Sequence, residues 1–160
     1  MASSLLTFRK GITSTSAALL FVVCSIGLSC ERDTKLKVEG GNPPKFVMTG
    51  NGVLTSIRVR GPQRQRNVTG EAASLYWLIE TRGDPGTNDR VNAISPVTYG
   101  VVPQGFEQVY PQRGAAPPLI EDEHYYIRLV GSEANGDDGY FTSHDGTVSF
   151  AKYESELPNK

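Results

Sequence analysis

The chain has 160 residues, of which 38% are hydrophobic and 21% are charged, a composition typical of one globular domain rather than a disordered or wholly membrane-embedded protein. Its formal net charge is −1, and residues 1–29 contain two basic residues, Arg9 and Lys10, and no acidic one. Without that segment, 14 basic residues stand against 17 acidic ones, a net charge of −3. This charge argues against a nucleic-acid-binding protein, which needs a basic face to neutralise phosphates.

The first 30 residues have the features of an export signal. Arg9 and Lys10 provide a short basic stretch, and residues 17–28 (AALLFVVCSIGL) form an apolar run of 12 residues. That length suits a signal peptide and is well short of the roughly 20 residues that a membrane-spanning helix needs. Cys30 and the polar sequence ERDTK follow the run directly.

Cys30 and the residues before it (GLSC) resemble the lipobox of bacterial lipoprotein signal peptides, with small Ser29 before the cysteine and Gly27 where the family prefers Leu. The resemblance implies that residues 1–29 are removed and that Cys30 carries acyl chains such as palmitate. It implies a lipid-anchored protein of a bacterial membrane, and Glu31 in place of the Asp of an inner-membrane retention signal favours the outer membrane or the cell surface. Plain secretion with an incidental Cys30, or a buried helix of a cytosolic protein, are the alternatives.

The rest of the chain divides by composition into a tether, one domain and a tail. Residues 30–43 are polar with glycine and proline, as in a flexible linker, and we predict a folded domain at 44–155 with a tail at 156–160. Apolar residues in the domain recur with a period of two, and turn sequences separate them, which predicts an all-β sandwich of about seven or eight short strands. The predicted strands are residues 45–49, 53–60, 74–80, 96–102, 107–110, 124–130, 139–142 and 147–153, with Asp145-Gly146 as a tight hairpin turn.

One segment of the domain carries a family resemblance. It contains, in order, Leu119, Glu121, Tyr125, Ile127, Arg128 and Leu129. These residues resemble the fibronectin type III pattern Leu-x-Pro-x-x-x-Tyr-x-Val-Arg-Val, with Glu121 in place of Pro. Trp77 in SLYWLIE resembles the strand-C Trp of immunoglobulin-like sandwiches, without their cysteine pair. The resemblance implies an Ig-like or fibronectin type III-like sandwich in which Trp77, Leu119 and Tyr125 are structural and the Tyr125 hydroxyl caps a backbone group.

Candidate chemistry is sparse in this sequence. It contains no P-loop, G-x-S-x-G or H-E-x-x-H motif, and its two cysteines both lie within the first 30 residues, so no cysteine remains in the domain for a disulfide or a thiolate metal site. Two acidic loops offer oxygen ligands for calcium, with Asp84 and Asp89 in one and Asp137 and Asp138 in the other. The alternative is that Asp and Asn occupy these loops because they favour turns, so we predict no cofactor, with calcium as the second possibility.

A proline-rich segment and a histidine are further candidates for binding. The proline-interrupted segment 101–118 contains Phe106 and Tyr110, which form a recognition edge for an envelope protein or a glycan if they are exposed. The simpler interpretation is an edge strand that proline protects against aggregation, with both aromatic side chains folded back on the domain. We interpret His144 as an exposed residue beside the hairpin turn, because the other histidine, His124, precedes a different strand.

Two functions are consistent with these observations. The first is a non-enzymatic, lipid-anchored envelope or cell-surface module with a structural, adhesive or protein-docking role. The second is an envelope enzyme or an accessory hydrolase subunit that uses the acidic loops. The two are distinguished by whether Asp84, Asp89, Asp137 and Asp138 converge in space, since hydrolysis by paired carboxylates needs two acids across a cleft.

Overall fold

The computed structural model describes residues 34–62, 70, 73–83, 90–132 and 135–158, and every structural statement below concerns these residues. Across them, nine strands form two antiparallel sheets, which confirms the predicted all-β sandwich. The strands are β1 (Lys35–Glu39), β2 (Lys45–Thr49), β3 (Val53–Arg60), β4 (Leu75–Thr81), β5 (Val97–Thr98), β6 (Phe106–Tyr110), β7 (Tyr125–Ser132), β8 (Asp138–His144) and β9 (Thr147–Ala151).

The two sheets differ in size. One has three strands in the order β1-β2-β5, and the other has six in the order β6-β4-β3-β7-β8-β9. Two short helical segments accompany them, α1 (Val91–Ile94) and a single 3₁₀ turn at Glu154–Glu156. Because β7, β8 and β9 are consecutive antiparallel neighbours, the corner before β7 and the turn between β8 and β9 lie at the same end of the larger sheet.

Alternation along the strands builds the core between the sheets. In β3, Ile57 and Val59 are fully buried, while Arg58 and Arg60 on the other face are partly exposed. The smaller sheet contributes Phe46, whose ring lies 5.9 Å from that of Phe141 in the larger sheet. Burial of each such side chain stabilises the fold by about 1.5–3 kcal/mol.

The residues predicted to be structural all lie in or against this core. Trp77 has no exposed surface, and its Nε1 donates to Gln108 Oε1 at 3.2 Å. The Tyr125 ring is buried, and its hydroxyl accepts a hydrogen bond from the Ile120 backbone N–H at 3.0 Å, five residues upstream. Leu119 is 9% exposed. The phenol therefore satisfies a backbone donor at the point where the chain enters β7.

The predicted tether at residues 30–43 is wrong from Thr34 onward. Thr34 is buried, and residues 35–39 form β1, which pairs with β2 over its whole length. Leu36 and Val38 alternate with exposed lysines and enter the core, so two apolar residues are sufficient for a strand when a partner strand lies beside them.

The predicted strand boundaries hold best at the start of the predicted domain. β2 and β3 have the predicted bounds, whereas the strand predicted at 96–102 is reduced to β5, because the chain turns at Gly100, which has a φ of 79°. The predicted tail at 156–160 is wrong at its start, since Glu156 belongs to the 3₁₀ turn and Leu157 is 5% exposed. The folded domain therefore begins earlier and ends later than composition indicates.

Candidate ligand cleft at the tip of the β8–β9 hairpin

A cleft of ≈ 690 Å³ lies beside the tip of the last hairpin, and we call it the hairpin-tip cleft. It lies on the outer side of the larger sheet, because Phe141 points into the core and the next residue, Thr142, points the other way. Its lining residues are of polar types apart from Pro158, but their apolar atoms form the larger share of the cleft surface. The lining residues are Asp122, Thr142, His144, Asp145, Thr147, Ser149 and Pro158.

Local structure explains how the hairpin places these side chains together. Asp145 and Gly146 have φ values of 47° and 72°, the left-handed conformation that a tight turn requires. The register sets His144 opposite Thr147 and Thr142 opposite Ser149. Cross-strand partners on one face have Cβ atoms about 4.5–5.5 Å apart, so these four side chains form one polar surface.

Asp122 reaches the cleft through the register of β7 and β8. Tyr125 pairs with Phe141, and continuing that register past the strand ends sets Asp122 beside His144. The Asp122 N–H donates to the Ser143 carbonyl at 2.9 Å, and Asp122 Oδ1 lies 2.7 Å from His144 Nδ1. Asp145 Oδ2 lies 3.4 Å from Nε2 of the same ring. Two carboxylates therefore flank the imidazole, and we call these three residues the His144 cluster.

The electrostatics of this cluster favour the imidazolium form. The hydrogen bond with Asp122 raises the pKa of His144 above its ordinary value of 6.5, and the charges of Asp122 and Asp145 raise it further. The side chains of Asp122, His144 and Asp145 are 57%, 69% and 86% exposed. Because solvent screens charges at such exposure, the cluster contributes little to the folding free energy and remains accessible to a ligand.

Thr142 lines the same cleft, but its hydroxyl oxygen is enclosed. The residue is 6% exposed, and its Oγ1 is buried without a hydrogen-bond partner in the described part of the chain. A buried hydroxyl that lacks a partner costs about 1–3 kcal/mol, and such groups are uncommon in folded proteins. Because the oxygen is enclosed, it is not a contact that the cleft offers to a ligand.

The arrangement of the cleft is suited to holding a ligand. It combines hydroxyl groups, the His144 ring and two exposed carboxylates. The carboxylates can accept hydrogen bonds and attract positive charge. In nucleophilic catalysis by serine or threonine, the imidazole nitrogen that faces away from the orienting carboxylate contacts the hydroxyl. Here that nitrogen, Nε2, lies beside Asp145, and no hydrogen bond among the described residues joins it to a hydroxyl.

A second carboxylate cluster lies at the other end of β8, and it is closed by a lysine. Lys152 Nζ lies 2.9 Å from Asp137 Oδ1 and 2.9 Å from Asp138 Oδ1. Asp137 Oδ2 also accepts the Leu36 backbone N–H at 2.8 Å, which ties β1 to the start of β8. We call these three residues, Asp137, Asp138 and Lys152, the Asp137 cluster.

The pKa of Asp137 reflects this bonding. Burial by itself would raise the pKa of the carboxyl, but hydrogen bonds from Lys152 and from the Leu36 and Asp138 N–H groups outweigh burial and hold it below 3.8. A calcium ion at these oxygens would have to displace the ammonium group. The described residues contain no group of three or more His, Cys, Asp or Glu side chains able to hold a metal ion.

Several predicted site residues lie outside the described residues. These are Cys30, Asp84 and Asp89, so the convergence of the four loop aspartates stays a prediction. Among the described residues, no helix is both long enough and apolar enough to cross a membrane.

Phe106 is 2% exposed, which agrees with the folded-back interpretation and excludes it from a recognition edge, whereas Tyr110 is 41% exposed. Phe106 begins β6, an edge strand of the larger sheet, and its side chain enters the core because alternation in β6 points it inward. Gln108 Nε2 donates to the Pro111 carbonyl at 2.8 Å, and the Tyr99 hydroxyl donates to that of Pro117 at 2.7 Å. These bonds hold the proline-rich segment against the domain.

Sequence reasoning missed the pair of Asp122 and His144. The partner of His144 is not the second histidine but a carboxylate 22 positions upstream. The available signal was the combination of Tyr125 at the start of one strand with the Asp145-Gly146 hairpin at the end of the next, because the pairing of these strands places residue 122 beside residue 144.

Comparison of the chain with protein families, with curated proteins and with solved structures finds no match.

Proposed function

We propose that this protein is a non-enzymatic docking module, held at a bacterial membrane by a lipid on Cys30, whose hairpin-tip cleft binds a basic segment of another envelope protein. The observation that carries the docking role is the composition of the cleft, in which the exposed carboxylates of Asp122 and Asp145 flank His144. Lysine and arginine side chains supply the donors and the positive charge that such a site attracts.

The membrane attachment is supported by the sequence around Cys30. A single acyl chain of myristoyl length binds a membrane only marginally, whereas two or three chains hold a protein almost permanently, since each buried CH₂ contributes about 0.8 kcal/mol. The intact mass of protein purified from bacterial membranes tests this part. We expect the mass of residues 30–160 plus glyceryl and acyl groups, and we expect the modification to be lost in Cys30→Ser. An unmodified chain that retains Met1 would refute the anchor.

The docking role is tested with a tri-lysine peptide as the probe. In NMR spectra of the lipidated protein in nanodiscs, we expect amide shifts at Thr142, His144 and Thr147, with a response at least tenfold weaker in the double variant Asp122→Asn, Asp145→Asn. A tri-glutamate peptide is the matched control and should produce no shift.

Two results would contradict the docking proposal. Tri-lysine shifts outside the cleft, or shifts unchanged in the double variant, would remove the role of the carboxylates. A response to a neutral oligosaccharide that persists in the double variant would indicate a glycan-binding site instead. The enzymatic alternative gains no support from the Asp137 cluster, because Lys152 occupies the oxygens that it would need.

A further inference from the structure

The domain has two opposite ends, and strand pairing defines which residues lie at each. Lys35 pairs with Thr49, and Val53 pairs with Ser132, so these residues lie at one end of their sheets, which we call the β1-start end. The hairpin-tip cleft lies at the other end, which we call the hairpin-tip end. β8 runs from the first end to the second, since it begins at Asp138 and finishes at His144.

Hydrogen bonds between the two sheets align these ends. The Thr34 N–H donates to the Asn135 carbonyl at 3.2 Å, and the Leu36 N–H donates to Asp137 Oδ2 at 2.8 Å, so β1 begins beside the beginning of β8. Past the other end of β1, the Gly41 N–H donates to the Gly146 carbonyl in the hairpin turn at 3.2 Å. The first described residue and the cleft therefore lie at opposite ends of the domain.

The chain between Cys30 and Thr34 is short compared with the length of the domain. Four Cα–Cα steps separate Cys30 from Thr34, a span of about 14 Å when fully extended. The six residue steps along β8 from Asp138 to His144 cover about 20 Å, and the segment from Asn135 adds to that. A lipid on Cys30 therefore cannot bring the bilayer to the hairpin-tip end without tilting the whole domain onto its side.

Charge opposes such a tilt. The hairpin-tip end carries many acidic side chains, and the anionic headgroups of a bacterial membrane repel them. Asp122 and Asp145 flank His144, and Glu154 lies 3.2 Å from His124 Nδ1 just before β7. The other acidic residues of the corner and the 3₁₀ turn are Glu121, Glu123 and Glu156.

We infer that the lipidated domain stands on an anionic bilayer by its β1-start end and presents the hairpin-tip cleft away from the membrane, toward partners in the surrounding compartment. This inference rests on the proposed lipid on Cys30, and it adds an orientation that the anchor alone does not specify. It follows from the early start of β1, which leaves too little chain for a flexible tether.

Two matched serine-to-cysteine variants test the orientation in the lipidated protein. Ser132 at the β1-start end and Ser155 beside the hairpin-tip end are both exposed, and Ser→Cys is nearly isosteric. If Cys24 leaves with the signal and Cys30 carries lipid, the introduced thiol is the one available for labelling. Each variant, Ser132→Cys or Ser155→Cys, receives the same donor dye and is reconstituted in phosphatidylglycerol-containing vesicles whose headgroups carry an acceptor dye.

We expect at least twofold stronger energy transfer from the label at position 132 than from the label at position 155. Equal transfer, or stronger transfer from position 155, in protein that floats with the vesicles would overturn the orientation while leaving the anchor intact. Failure of the wild-type protein to float would instead refute the anchor and the orientation together.

A lengthened tether provides the control. Inserting 15 Gly/Ser residues between Cys30 and Thr34 gives a flexible span of about 20 Å, comparable to the length of the domain. We expect the difference between the two labels to shrink by more than half at unchanged flotation. A difference that persists in full would show that something other than the short chain sets the orientation, and would overturn the inference.

Discussion

The two carboxylate clusters lie at opposite ends of β8 and differ in how their charges are satisfied. In the Asp137 cluster, a lysine and two backbone N–H groups bond to carboxylates whose side chains are 22% and 39% exposed. In the His144 cluster, the partner is a titratable imidazole and the carboxylates are 57% and 86% exposed. Similar residue types therefore serve as a structural tie at one end and as an accessible polar site at the other.

The largest difference between the clusters should appear when one carboxylate is removed from each. We expect Asp137→Ala to lower the free energy of unfolding by about 2–3 kcal/mol, because it removes charged hydrogen bonds that join β1 to β8. Asp145→Asn removes the charge but keeps a residue type that tolerates the φ of 47°, so it is the control and should change the free energy of unfolding by less than about 0.5 kcal/mol. Chemical denaturation at pH 7 measures both, and equal losses would abolish the distinction between the clusters.

The second-largest effect on stability should appear in acid, where the Asp137 cluster loses its contribution. Because folding lowers the pKa of Asp137 below 3.8, its contribution to stability is present above that pH and is lost as the pH falls through the folded-state pKa. We expect the wild-type protein to lose more stability than Asp137→Ala between pH 5 and the acid limit of the transition. Parallel stability curves for the two proteins would contradict this assignment.

A smaller effect on the free energy of unfolding should come from the buried hydroxyl of Thr142. We expect Thr142→Val, which keeps the shape of the side chain and removes the unpartnered hydroxyl, to raise the free energy of unfolding by up to about 1 kcal/mol. The same variant should leave the tri-lysine response of the cleft unchanged, because the enclosed hydroxyl does not reach a ligand. Destabilisation by Thr142→Val would show that the hydroxyl has a partner in the folded protein.

The smallest effect on stability should come from the His144 cluster. We expect an NMR titration to place the pKa of His144 above 6.5, and Asp122→Asn to return it toward 6.5, because the hydrogen bond with Asp122 is the main cause of the shift. The attraction between protonated His144 and the two carboxylates stabilises the fold fully below pH 6.5. This contribution is lost as the pH rises through the raised pKa. An unchanged pKa in Asp122→Asn would remove Asp122 as the cause.

Much of the sheet could be predicted from local pattern. The alternation of Ile57 and Val59 with arginine marks β3 with its observed bounds, and Asp145-Gly146 marks the hairpin turn. β1 was missed because its two apolar residues alternate over only five positions, and they are buried through pairing with β2. A strand of that length has no local signal strong enough to separate it from a linker.

The candidate site was less accessible to such reasoning. Asp137 and Asp138 stood out as acidic residues in a loop, yet Lys152, which neutralises them, belongs to a segment beyond the next strand. The sequence left Phe106 open between an exposed edge and a folded-back side chain, and the core residues of other strands that it packs against decide its burial. In each case the deciding contact comes from a residue that the local sequence does not contain.

The sequence by itself determined the all-β class, the last hairpin and the buried positions of Trp77 and Tyr125, because these depend on a period of two, on turn chemistry and on local spacing. Tertiary structure alone decided that β1 joins the smaller sheet, that Lys152 closes the Asp137 cluster and that Asp122 flanks His144. The physical reason is that strand pairing brings together residues distant in the chain, and the register of each pair is a property of the whole sheet.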